Sequence, residues 1–244
     1  MKRITLILMA AMASSGVFTS CNSNSTASSN MQQPAAENQE IALENEESGQ
    51  VDASKLNTKD ASALNVENML DAFKGETTAS AKYAAYSKKA EEEGYHQIAM
   101  LFKAASASEK IHASNHKAVL KESGVTVPDI APEFVVKSTK ENLQDAIAGE
   151  GYEVKTMYPQ FITNANAAGN QMSLMSLNYA YKTEQKHKVF YEKALAALDA
   201  NNVKSLPSVY FVCPTCGNTY ESAAPERCGI SMTSGEKFVK IASL

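Results

Sequence analysis

Residues 109–112 read Glu-Lys-Ile-His, and residues 184–187 read Glu-Gln-Lys-His. On a helix, positions three apart share a face, so each tetrad aims a carboxylate and an imidazole the same way. Neither face is polar. Ile98, Phe102, Ala105, Glu109, His112, His116 and Leu120 form one apolar stripe at helical spacing. Leu177, Ala180, Glu184, His187, Tyr191, Leu195 and Leu198 form another. Two further stripes carry acids in the same fashion: Met69, Phe73, Glu76, Ser80, Tyr83, and Leu143, Ile147, Glu150, Glu153 or Val154, Met157, Phe161.

Working outward, the periodicity predicts four helices over about 64–93, 95–123, 139–168 and 170–200. Gly94 and Gly169 interrupt it for only a residue or two, so each pair should be an antiparallel hairpin. Residues 124–138 hold Pro128 and Pro132 and no stripe, which reads as a long crossover. Ala72-Phe73-Lys74-Gly75-Glu76 recurs as Ala146-Ile147-Ala148-Gly149-Glu150, 74 positions on, and the Glu-x-x-His tetrads are 75 apart. The chain therefore repeats one helical hairpin. Glu76 lies 18 residues before Gly94 and Glu109 lies 15 after it; Glu150 lies 19 before Gly169 and Glu184 lies 15 after it. At ~1.5 Å per residue, these groups share a level roughly 20–28 Å from the turns. The expected fold is mainly α: a ferritin-like four-helix bundle with one long crossover.

Glu76, Glu109, His112, Glu150, Glu153, Glu184 and His187 thus converge on one waist. An unpaired carboxylate in a bundle core costs several kcal/mol, and the stripes supply no Lys or Arg to offset five of them. Two metal ions with bridging carboxylates and one imidazole each would balance the set. Oxygen donors with some imidazole suit iron or manganese. A third Glu-x-x-His, Glu93-Gly94-Tyr95-His96, is not a site: Gly94 breaks its helix, and His96 reads as a surface or turn residue. His116 lies one turn beyond His112, either supporting the site or packing.

After Pro207 the pattern changes to short apolar runs and turns. Val209-Tyr210-Phe211-Val212 leads into Cys213-Pro214-Thr215-Cys216-Gly217, a metal knuckle. Cys228-Gly229-Ile230-Ser231 follows with one thiol and a serine where a second Cys-x-x-Cys would stand. Three readings stay open. Ser231 ligates as an alkoxide; three thiolates hold iron or zinc with water or another group; or Cys213 and Cys216 form a disulfide. Tyr210, Phe211, Tyr220 and Phe238 are expected to form the core of this small module.

From about Val66 to Ile241 the chain resembles the rubrerythrins, most distinctively in Gly149-Glu150-Gly151-Tyr152-Glu153 leading to Met157-Tyr158-Pro159. The resemblance implies a carboxylate-bridged di-iron site on Glu76, Glu109, His112, Glu150, Glu153, Glu184 and His187, and a rubredoxin-like C-terminal module. It implies that one iron exchanges His112 for Glu153 as its oxidation state changes. Tyr83 and Tyr158 match tyrosines that hydrogen-bond the ligating carboxylates. It also implies hydrogen peroxide as substrate, electrons arriving through the module from an unidentified donor, and at least a homodimer in which one subunit's module approaches the other's di-iron site. A ferritin-like ferroxidase and a non-catalytic metal-binding surface lipoprotein are the alternatives.

Composition bounds the rest. The chain has 244 residues, net charge −4, 7% aromatic residues and no Trp, which disfavours a nucleic-acid surface or a sugar-stacking one. Lys2 and Arg3 precede an apolar run from Ile4 to Phe18, too short to span a bilayer and suited to a signal peptide. The run ends in Thr19-Ser20-Cys21, as in a bacterial lipoprotein, with Cys21 lipidated and the protein held at the cell envelope. Residues 21–62, rich in Asn, Ser, Gln and Glu, read as a flexible tether. The expected organisation is signal peptide 1–20, tether 21–62, bundle 63–202 and rubredoxin-like module 203–244.

Overall fold

The protein is described here by a computed structural model over Thr58–Leu244. The signal peptide, Cys21 and nearly all of the expected tether lie outside these described residues. Helices α1 (Thr58–Glu92) and α2 (His96–Glu122) form the first hairpin. It turns at Gly94, whose φ of +83° is open to glycine and strained for other residues. The Tyr95 amide closes the turn on Ala90 O at 2.8 Å.

The second hairpin begins after the crossover. Helix α3 (Thr139–Tyr152) starts in a capping box, with Ser138 Oγ accepting from the Glu141 amide and the Glu141 carboxylate accepting from the Ser138 amide. A π-helical turn, Glu153–Met157, then leads into α4 (Tyr158–Ala167), and α5 (Gln171–Asp199) returns antiparallel. The sequence pattern predicts one unbroken helix over 139–168. Pro159 explains the difference. It has no amide to donate to Lys155 O, and its ring crowds that carbonyl. The Tyr158 amide reaches instead to Glu153 O, five residues back. One extra residue in the turn rotates everything after it by roughly 100°.

Two apolar layers flank the polar waist. One contains Tyr83, Tyr86, Ile98, Leu101, Phe102, Leu143 and Tyr191. The other contains Met69, Phe73, Val119, Leu120, Tyr158 and Leu177. Along α1, α2 and α5 the acids and imidazoles fall between these layers, so the waist is closed to solvent above and below.

The C-terminal module is a three-stranded antiparallel sheet in the order β2-β1-β3, from β1 (Tyr210–Val212), β2 (Thr219–Glu221) and β3 (Val239–Ile241). Side chains alternate along β1. Tyr210 and Val212 join the bundle's first apolar layer with Ile241. Phe211 faces the other way, towards the cysteines, Tyr220 and Phe238. Tyr210 therefore does not belong to the module's own core as the sequence had suggested; its ring packs 6.4 Å from that of Phe190 on α5. Among the described residues, no helix is long and apolar enough to cross a membrane.

Candidate metal centre

The orientation of the two imidazoles decides the chemistry of the waist. His112 Nε2 lies 3.1 Å from the carbonyl oxygen of Cys216, which can only accept, so Nε2 carries the proton. His187 Nε2 lies 2.9 Å from Thr219 Oγ1, whose own proton goes to Gly217 O. Both Nδ1 atoms then turn inward onto carboxylates, which can only accept, so in the ion-free protein each Nδ1 also carries a proton that a bound cation would displace. His112 Nδ1 is 2.8 Å from Glu184 Oε1 and 3.0 Å from Glu109 Oε2. His187 Nδ1 is 2.8 Å from Glu184 Oε2 and 3.1 Å from Glu109 Oε1. An outer hydrogen bond that fixes the ring and leaves the inner nitrogen for a cation is the usual way to aim a ligating histidine.

Six of the seven donors expected from the sequence assemble into two groups, each with its donor atoms within 4.8 Å of one another. Glu76, Glu109, His112 and Glu184 make one; Glu109, Glu150, Glu184 and His187 make the other. Glu109 and Glu184 are common to both. Glu153 belongs to neither group. It is half-buried at the start of the π-helical turn, near enough to Glu76 and Glu184 for their charges to raise its pKa further after burial has done so.

The electrostatics show how poorly the cluster satisfies itself. Burial pushes Glu76 up to about 7, and burial with the Glu184 charge pushes Glu150 well up. Burial opposes charge on His112, yet Glu184 and Glu76 outweigh it and raise its pKa. Burial also opposes charge on Glu184, yet His112 and His187 bring it down to about 2. Even so, Glu150 Oε2 has no hydrogen-bond partner, and both oxygens of Glu109 and Glu184 Oε1 meet only the two imidazole Nδ1 atoms. Buried groups left in this state are costly, and convergent lone pairs call for cations. The donor set, four carboxylates with one imidazole per group, fits a pair of iron ions, which Glu109 and Glu184, common to both groups, would hold jointly.

Two tyrosines hold the outer carboxylates. Tyr83 donates to Glu150 Oε1 at 2.8 Å, and Tyr158 donates to Glu76 Oε1. Tyr158 reaches Glu76 because the π-helical turn has rotated α4.

Beside this centre lies a second group of donors. Cys213, Cys216 and Cys228 are free, buried thiols with their sulfurs within 4.8 Å of one another. Ser231 Oγ is 3.3 Å from Cys213 Sγ and 2.9 Å from Thr233 Oγ1. A hydrogen bond from Cys216 brings Cys213 down to about 4, so a thiolate is available. The module docks on its own chain's bundle. Ser108 donates to Gly217 O at 2.8 Å, Asn115 to Thr215 O at 2.9 Å, and Lys186 to both Asn218 Oδ1 and Thr219 O at 2.8 Å.

Residues 67–195 match the family model described as rubrerythrin. Rubrerythrin-2 of Clostridium acetobutylicum is 33% identical over 178 residues, 72% of this chain and 96% of its own length. Nigerythrin of Nitratidesulfovibrio vulgaris is 34% identical over 183 residues, 74% of this chain and 88% of its own. The chain belongs to the rubrerythrin family. The fully reduced, all-ferrous structure of nigerythrin superposes with a TM-score of 0.64 at 34% identity, covering 72% of this chain and 86% of that one. A bacterioferritin of Desulfovibrio desulfuricans, at 20% identity and a TM-score of 0.56, shares the fold.

As a rubrerythrin the chain departs from pattern at Ser231, which places a hydroxyl where a fourth thiol is expected. Within the chain, the module lies against its own bundle, with Gly217 O accepting from Ser108 and the Cys216 carbonyl facing His112. Several residues that build this rubrerythrin's site had no sequence signal. Ser108, Thr219 and the Cys216 carbonyl act through contacts across more than 30 positions. Lys186 was visible only as a spacer in the second tetrad. His116, left open between support and packing, is fully buried and hydrogen-bonded to Ser176 and Tyr158. His96 pairs with Glu91 on the surface, away from the site.

Proposed function

We propose that this chain is a di-iron peroxidase that reduces hydrogen peroxide to water at the cell envelope. The observation that supports it best is the pair of donor groups sharing Glu109 and Glu184, each completed by an imidazole whose Nδ1 faces inward. When bound, two ferrous ions supply the electrons for H₂O₂ + 2 e⁻ + 2 H⁺ → 2 H₂O.

The chain's own residues prepare that reaction. The outer hydrogen bonds of His112 and His187 hold each ring with Nδ1 toward the waist. Tyr83 and Tyr158 fix Glu150 and Glu76, so the donor positions are set before substrate arrives. The apolar layers around Phe102 and Leu177 keep bulk water from the waist. Glu153, half-buried beside Glu76, offers a reserve carboxylate for the exchange with His112 that the family resemblance implies. Electrons return through the C-terminal cysteines. The Cys216 backbone, joined to His112 by one hydrogen bond, is a direct bridge between the two centres. The donor that feeds the module is a separate reductant.

Lipidation of Cys21 would hold the enzyme at the membrane, and a homodimer is its expected assembly. Mass spectrometry of the mature N-terminus tests the first and sedimentation the second. The activity is tested by rapid mixing of the anaerobic, ferrous-loaded protein with peroxide or with O₂. Oxidation much faster with peroxide is expected. Equal or faster oxidation by O₂ would favour a ferroxidase, and tight binding without oxidation by either a non-catalytic metal carrier.

A further inference from the structure

Behind Tyr158 lies a buried pair that the di-iron ligand set does not use. His116 is fully buried, with Nε2 3.4 Å from the Tyr158 hydroxyl and Nδ1 2.8 Å from Ser176 Oγ. Ser176 is buried as well. Tyr158 has one hydroxyl proton, and it goes to Glu76 Oε1. A nitrogen facing that oxygen must therefore be the donor, so His116 carries its proton on Nε2. Nδ1 is then the acceptor, and Ser176 donates to it. The three bonds run one way: Ser176 to His116, His116 to Tyr158, Tyr158 to Glu76. Burial, and after it the nearby His112, pushes His116 down to about 3, so the ring stays neutral with one donor and one acceptor.

The far end of this chain matters because of the carboxylate it touches. Glu76 gives Oε1 to Tyr158, while its Oε2 faces the waist, 3.7 Å from His112 Nδ1. A tyrosine whose lone pairs had no partner could rotate or accept from another donor. Glu76 could then turn both oxygens inward.

We propose that His116, braced by Ser176, is a positioning residue that commits Tyr158 as donor to Glu76 and so leaves one carboxylate oxygen for the metal centre. This rests on the di-iron reading given above. It assigns to α2 and α5 a device that supports α1 through α4.

The test uses the full chain loaded with two ferrous ions. Its readouts are the near-infrared ligand-field bands of the ferrous protein and the rate of its oxidation by peroxide. His116→Phe and Tyr158→Phe should both shift the bands and slow oxidation by roughly fivefold to tenfold, the loss of one buried hydrogen bond. The double variant should be no slower than either single one, because both interrupt a single chain. His116→Gln should restore wild-type behaviour, since its amide offers an N–H to Tyr158 and a carbonyl to Ser176; Ser176→Ala should weaken the effect in the same direction. Wild-type bands and rates in His116→Phe, or full additivity with Tyr158→Phe, would overturn the proposal. Should His116→Phe fail to fold, Gln and Ser176→Ala still decide it: bands moved as far by Gln as by Tyr158→Phe, with Ser176→Ala unchanged, would also overturn it. Failure of the wild-type chain to take up two ferrous ions would be a different result, overturning the di-iron reading itself.

Discussion

His112 Nε2 and the carbonyl oxygen of Cys216 lie 3.1 Å apart, so a ligand of one centre is hydrogen-bonded to the backbone of the other. The next residue makes this approach feasible. Gly217 has a φ of +78°, and a Cβ there would fall 2.3 Å from His112 Nε2. Gly217→Ala should therefore cost roughly 2–4 kcal/mol through left-handed strain and the forced separation. Urea unfolding measures the first effect. Slower re-reduction of the oxidised waist by an external reductant measures the second. An alanine variant with wild-type stability would show that the two segments do not meet.

Sharing of ligands predicts an asymmetric response to their loss. Glu109 and Glu184 belong to both donor groups, whereas Glu76 and His112 belong to one and Glu150 and His187 to the other. Glu109→Ala or Glu184→Ala should empty both positions. His187→Ala or Glu150→Ala should weaken one ion by tenfold or more and spare its neighbour. Iron per chain, counted after dialysis, distinguishes the patterns; a single ion retained by Glu184→Ala would mean that this carboxylate does not bridge.

The pH dependence follows from the shifted acids and its sign is definite. Glu76 is raised from 4.5 to about 7 and His187 from 6.5 to about 9. For both, the folded ion-free protein holds a proton that the unfolded chain has released, so stability falls as pH rises through about 4.5–9. Glu184, lowered from 4.5 to about 2, adds stability that disappears only in acid, below that window. Bound ions replace these protons, so their stabilisation should grow with pH over the same range. The melting-temperature gap between iron-loaded and ion-free protein should be wider at pH 8 than at pH 6. A constant gap would contradict the protonation assigned to the waist.

Ser231 offers a hydroxyl 3.3 Å from Cys213 Sγ, at the corner of the three-thiol group. Ser231→Cys should complete a four-sulfur site, strengthen the thiolate-to-iron absorption of the iron-loaded module and raise its reduction potential, because sulfur is the softer donor. Ser231→Ala should leave the three-thiolate spectrum but weaken iron retention. Identical spectra and potentials in all three forms would place Ser231 outside the coordination sphere.

Much of this protein was legible in its residues. Helical spacing located the apolar stripes of all four rods, Gly94 and Gly169 marked both turns, and equal counts from those glycines set Glu76, Glu109, Glu150 and Glu184 at one height. Such readings succeed because a helix converts sequence distance into angle and rise by local geometry alone. Three features needed the folded chain. Which donors group together, with Glu109 and Glu184 shared and Glu153 apart, depends on distances across the bundle, and periodicity carries no such information. The phase of α4 depends on the π-helical turn before Pro159, where one extra residue swings Tyr158 onto Glu76. The seating of Cys216 on His112, and of Ser176 behind His116, joins positions 104 and 60 apart in the chain. These contacts form only when separate elements pack, and their energy comes from burial and hydrogen bonding between partners that no local pattern brings together.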